Sequence, residues 1–121
     1  MLLIRARRDL RTMTMRQSKR KALEAKGWKL GSAEEFLDLT DEELALIELK
    51  LALGSALKQR RQKKRLTQEA AAKAISSSQS RIAKMEAGDP SVSIDLLVKS
   101  MFILGASRKD VAKAISSKLA A

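Results

Sequence analysis

The 121-residue chain has no cysteine, no histidine and no tyrosine, and it has a single proline. Without cysteine there is no disulfide framework, no thiolate metal ligand and no cysteine nucleophile. Without histidine it also lacks a usual zinc ligand and the commonest general base. Aromatics are scarce, comprising only Trp28, Phe36 and Phe102. No run of 18 apolar residues occurs, so no membrane-spanning helix is expected. The start, Met1-Leu2-Leu3-Ile4-Arg5, is too short for a secretory apolar core and places that run before the charge. A cytoplasmic protein with no cofactor and no metal is the expectation.

What is present is Ala, Leu, Lys, Arg and Ser, with five Gly. That balance favours an all-α fold over a sandwich or barrel. Lys and Arg number 25 against 14 Asp and Glu, a net charge of +11. A charge of that size points to a polyanion or an acidic partner. Its distribution is uneven. Residues 1–31 carry +8, residues 32–57 carry −6, residues 58–65 carry +6, and residues 66–121 carry +3. Like-charge blocks of this kind mark interaction surfaces or tails.

Residues 1–20 read as a basic, flexible arm, since little after Ile4 is apolar enough to offset chain entropy. Residues 21–41 read as an extension of short helices. Ser32 and Glu35 have the spacing of a capping box, and Thr40 and Glu43 repeat it, so a helix should start near Asp41. Acidic residues in its first turn suit the helix dipole. That helix should run to about Lys64. Its apolar residues, among them Leu44, Leu46, Ile47, Leu49, Leu51, Leu53 and Leu57, do not fit one narrow stripe, which implies two covered surfaces. The tract that follows packs six cations into residues 58–65. This density exceeds what helix capping requires, and Lys58, Arg61 and Lys64 are assigned to phosphate contact.

Thr67 is placed to cap a short helix from Gln68 to Ile75, and Ser78 a second from Gln79 to Ala87, which Gly88 stops and Pro90 keeps from restarting. Two short helices joined by a tight turn make a helix-turn-helix. Ala71, Ala72, Ile75, Ile82 and Met85 form its inner face. Gln79, Ser80, Arg81 and Lys84 are left toward solvent, and Arg and Gln are the side chains that read guanine and adenine through paired hydrogen bonds. Ser93 caps a further helix with apolar residues at Ile94, Leu97, Val98, Met101, Phe102 and Leu104, and Ser107 with Asp110 opens a last one. The domain so defined spans residues 42–121 and has five helices.

Leu57-Lys58, Arg61, Leu66-Thr67-Gln68-Glu69, Ser78-Gln79-Ser80-Arg81-Ile82 and Met85-Glu86-Ala87-Gly88 together resemble the Xre, or lambda repressor–Cro, family of helix-turn-helix proteins. The resemblance covers roughly residues 50–115. It implies that Gln79, Ser80 and Arg81 enter the major groove. It also implies that Gln68, Ser78 and Lys84 touch the DNA backbone, and that a homodimer binds an inverted-repeat operator on double-stranded DNA. The sequence departs from the family where glycine is common, at Arg65 and Ser76, and where leucine is typical, at Ala71. Non-glycine residues at positive φ are uncommon, which leaves room for a local difference in either turn.

Residues Lys21 to Leu37 resemble the N-terminal region of HigA-type antitoxins, which bind a RelE/ParE-like toxin and repress their own operon. By that resemblance Trp28, Phe36 and Leu37 would anchor the toxin. Glu34 and Glu35, within the acidic block, would complement a basic protein. The same three apolar residues could instead pack on the long helix. A stand-alone repressor without a toxin is the alternative reading, and binding to RNA or a membrane surface by charge alone is a third. The carboxylates cluster at capped helix starts, and no nucleophile–base or metal constellation is visible, so no enzyme is expected.

Overall fold

In the computed structural model, residues 38–117 are described. Trp28, Glu34, Glu35, Phe36 and Leu37, the basic arm and most of the extension lie outside the described residues. The described chain is all-helical: α1 (Asp41–Lys63), α2 (Gln68–Ile75), α3 (Gln79–Glu86), α4 (Ile94–Ile103) and α5 (Arg108–Ser116). This is the expected five-helix, all-α arrangement.

Short-range chemistry sets the start of the last four helices. Thr67 accepts a hydrogen bond from the Ala70 amide, Ser78 from Arg81, Ser93 from Leu96 and Ser107 from Asp110. Each side chain satisfies one of the amides that a helix leaves unpaired at its first turn. At α5 the box is complete, because Asp110 returns the bond to the Ser107 amide at 2.8 Å.

The first four helices share one ending. In each, an amide bonds back five residues and its predecessor bonds back three, around a residue of left-handed conformation. The pairs are Leu66 to Arg61 with Arg65 to Gln62, Ser77 to Ala72 with Ser76 to Lys73, Asp89 to Lys84 with Gly88 to Met85, and Ala106 to Met101 with Gly105 to Phe102. Glycine holds the left-handed position at Gly88 and Gly105. Arg65 (φ 57°) and Ser76 (φ 60°) hold it at the other two. The departure from glycine therefore leaves both turns intact, and the two side chains absorb the backbone strain.

The core joins Leu53 and Leu57 of α1, Ala72 of α2, Ile82 and Met85 of α3, and Leu97, Met101 and Leu104 of α4 with Val111 and Ala114 of α5. Ser100 is the buried polar residue of this core, and its hydroxyl donates to the Met85 thioether at 3.6 Å. Ala71 is buried, and Ile75 packs half-buried against the cluster. Helix α1 buries Leu44, Leu51, Leu53, Gly54 and Leu57, while Leu46 remains 51% exposed. Among the described residues, no helix is long and apolar enough to cross a membrane.

Candidate nucleic-acid interface

Helix α2, the turn Ser76-Ser77-Ser78 and helix α3 put a short amphipathic helix on the surface. Ile82 and Met85 bury one side of α3. The opposite side leaves Gln79, Ser80, Arg81 and Lys84 exposed. The spacing follows from 3.6 residues per turn, since the buried residues at 82 and 85 share a face that the four polar residues avoid. At the start of α3, the Ser78 hydroxyl caps the Arg81 amide and lies 3.2 Å from the Ser80 hydroxyl.

Gln68 opens α2 and Gln79 opens α3, and their amides meet. The Gln79 Nε2 donates to the Gln68 Oε1 at 2.7 Å. The Gln68 Nε2 donates in turn to the Glu86 Oε1 at 3.1 Å. Glu86 is held from the other side by Arg61, whose Nη2 donates to Oε1 at 3.0 Å and whose Nε donates to Oε2. The Arg61 Nη1 donates to the Leu66 carbonyl at 2.8 Å. The two charged side chains are only 12% and 4% exposed. Donating to the Glu86 carboxylate raises the Arg61 pKa above its ordinary value, burial opposes this, and the opposite charge adds to it.

Arg61, assigned to phosphate contact from the sequence, donates three of its N–H groups to Glu86 and a carbonyl inside the domain, which leaves two of the five for another acceptor. The rest of the basic tract is divided as well. The Arg60 Nη2 pairs with the Asp110 Oδ2 at 2.7 Å, joining α1 to α5. The Lys64 ammonium lies against Gly105, where an added Cβ would stand 3.0 Å from Nζ, at the carbonyl end of α4. A cation there is favoured by the helix dipole. Lys58 is exposed on α1. The sequence signalled dense positive charge, whereas the structure turns Arg60 and Arg61 toward carboxylates of the same chain.

Lys84 sits near Asp89 in the loop after α3. The hydroxyl and amide of Ser91 hold the Asp89 carboxyl below its ordinary range, and the charges of Lys84 and Lys50 lower it further. Lys50 reaches the same loop by donating to the Pro90 carbonyl at 2.9 Å.

The sequence shows Glu86 within the family motif but gives it no role, because its partners Arg61 and Gln68 lie 25 and 18 residues away and no helical spacing links them. A family model described as a helix-turn-helix domain matches residues 52–115, just over half of the chain. No curated protein and no solved structure matches it.

Proposed function

This chain belongs to the helix-turn-helix domain family, a DNA-binding regulator fold, and we propose that it is a sequence-specific repressor working as a homodimer on an inverted-repeat operator. The observation that carries this reading is the exposed start of α3. Gln79, Ser80 and Arg81 stand there together on a helix whose opposite side is buried. Gln79 and Arg81 have the donor and acceptor patterns that suit adenine and guanine edges. Gln68, Ser78 and Lys84, with Lys58 and Arg61 on α1 and Lys64 just after it, would position the backbone, a role that fixes register without reading sequence. For the dimer, Phe102, Ile103 and Ile115 leave apolar surface exposed on the last two helices. Two α3 helices related by a two-fold axis would enter successive major grooves about 34 Å apart.

The finer reading is that of an antitoxin that represses its own operon. Its support is electrostatic. Glu42 and Glu43 are exposed in the first turn of α1, and the exposed Leu46 follows one turn on. An acidic surface with an apolar anchor suits a basic protein such as a RelE/ParE-like toxin.

The test is selection from random duplex DNA with the purified full chain. Enrichment of an inverted repeat with half-sites one helical turn apart is expected, with preference over bulk DNA of roughly 10³-fold or more. Affinity indifferent to sequence would overturn the repressor reading. Co-expression with the product of the neighbouring gene tests the antitoxin. A co-purifying basic protein supports it, and operator binding with no complex leaves a stand-alone repressor.

A further inference from the structure

Side-chain amides can present either end to a partner, and at an exposed surface both orientations are available. The amide of Gln79 lacks that freedom. The ionised carboxylate of Glu86, paired with Arg61, offers acceptors only. Gln68 must therefore turn its Nε2 toward Glu86, at 3.1 Å, and its Oε1 away. That oxygen faces Gln79, which must answer with its own Nε2, at 2.7 Å. What Gln79 then shows to solvent is its carbonyl oxygen and one remaining N–H. Each step is forced by the one before it, and the first is fixed by a nearly buried ion pair.

We propose that Glu86, anchored by Arg61, is a positioning residue that sets the hydrogen-bond polarity of Gln79 and through it the base that Gln79 selects. This rests on the reading of Gln79 as a base contact. An acceptor beside one donor is the complement of adenine, which offers an N6 amino group and an N7 acceptor in the major groove. With the polarity reversed, the carbonyl would point to Gln68 and two N–H groups would point outward. That pattern suits the paired acceptors of guanine. The buried pair therefore acts on selectivity without touching DNA.

The experiment compares Gln79→Ala, Gln68→Leu and Glu86→Gln with the unaltered full chain, each against the selected operator and its single-base variants. Glu86→Gln replaces an acceptor-only group by one that can also donate, which frees the polarity of the relay. Gln68→Leu cuts the relay while leaving the ion pair in place, so it serves if Glu86→Gln does not fold. The expected result is that all three lose preference at one and the same base pair, by about five-fold or more, with preferences elsewhere retained. In the free protein, side-chain 15N relaxation should show the Gln79 amide ordered in the unaltered chain and mobile in Gln68→Leu.

If Gln79→Ala loses preference there while Gln68→Leu and any folded Glu86→Gln keep it, the relay is wrong and the base contact stands. If Gln79→Ala changes no preference, the base contact fails, and the positioning role of Glu86 fails with it. If Glu86→Gln weakens every duplex equally and Gln68→Leu keeps its preference, Glu86 is structural only and the proposal is overturned.

Discussion

Gly54 in α1 faces the carbonyl of Met85 in α3 so closely that a Cβ at Gly54 would stand 2.5 Å from that oxygen and 2.9 Å from the next, of Glu86. The approach is reciprocal, because a Cβ at Gly88 would stand 2.9 Å from the Lys50 carbonyl and the Leu51 Cα. Glycine in mid-helix costs about 1 kcal/mol relative to alanine, so Gly54→Ala would stabilise an isolated helix. Here the obstructing atoms are backbone and cannot rotate away. Overpacking of that kind costs about 1–3 kcal/mol or more. We expect Gly54→Ala to destabilise the domain by at least about 1 kcal/mol in urea unfolding, and a stabilised variant would contradict the close packing of α1 on α3.

Arg65 and Ser76 hold left-handed backbone without being glycine. That conformation costs a residue with a Cβ roughly 1–2 kcal/mol. Arg65→Gly and Ser76→Gly should each raise stability by about 1 kcal/mol, reduced somewhat by the greater freedom of glycine in the unfolded chain. Thermal unfolding followed by circular dichroism measures this. Lowered midpoints in both would mean that side-chain contacts outweigh the strain.

The Arg61–Glu86 pair is nearly buried, so removing one partner strands the other. Glu86→Ala should cost about 3 kcal/mol or more. Replacing both at once, Arg61→Met with Glu86→Leu, should cost much less, because no orphaned charge remains. Equal losses in the single and double variants would show that packing, not charge pairing, dominates there.

Asp110 accepts from the amide and hydroxyl of Ser107 and, secondarily, pairs with Arg60, which together hold its carboxyl below the ordinary 3.8. The unfolded chain then takes up this proton first as pH falls. The stabilisation is complete above the ordinary carboxylate value and is lost as pH drops through the lower folded value. Asp89 works in the same direction through Ser91. Melting temperature should therefore fall on acidification below about pH 4. Asp110→Asn should show a shallower acid limb together with a lower plateau at neutral pH. An unchanged limb would remove Asp110 from the account.

Lys58 is exposed, whereas Arg61 is already paired with Glu86. A cation that contacts phosphate contributes about 0.9 to the slope of log affinity against log salt. Lys58→Ala should lower the slope by about that amount, and Arg61→Ala, assayed where it remains folded, should lower it by less. Fluorescence anisotropy across a salt series decides. A slope reduced by Arg61→Ala would show that the paired guanidinium also contacts phosphate.

Helix starts were readable from the sequence because a cap is a local device. Thr67, Ser78, Ser93 and Ser107 each bond an amide three residues away, and no distant contact competes. Glycine-marked ends were readable for the same reason at Gly88 and Gly105. Arg65 and Ser76 showed that the motif can persist without its marker. The fate of Arg61 was not readable, since a run of six cations looks uniform until the fold brings Glu86, 25 residues on, beside one of them. Gln68 and Gln79 were each identifiable as surface polar residues. Their mutual contact depends on how α2 and α3 dock, and no local pattern carries that.

Helix α1 is 23 residues long, and from Glu43 to Lys63 it rises about 30 Å. At physiological salt, exposed charges more than about 8 Å apart are largely screened from each other. The acidic turn and the basic turn of this one helix are several such lengths apart. Neither cancels the field of the other, although they contribute to the same net charge. A rigid rod of this length keeps two electrostatic surfaces independent, so occupancy at one end leaves the attraction at the other unaltered.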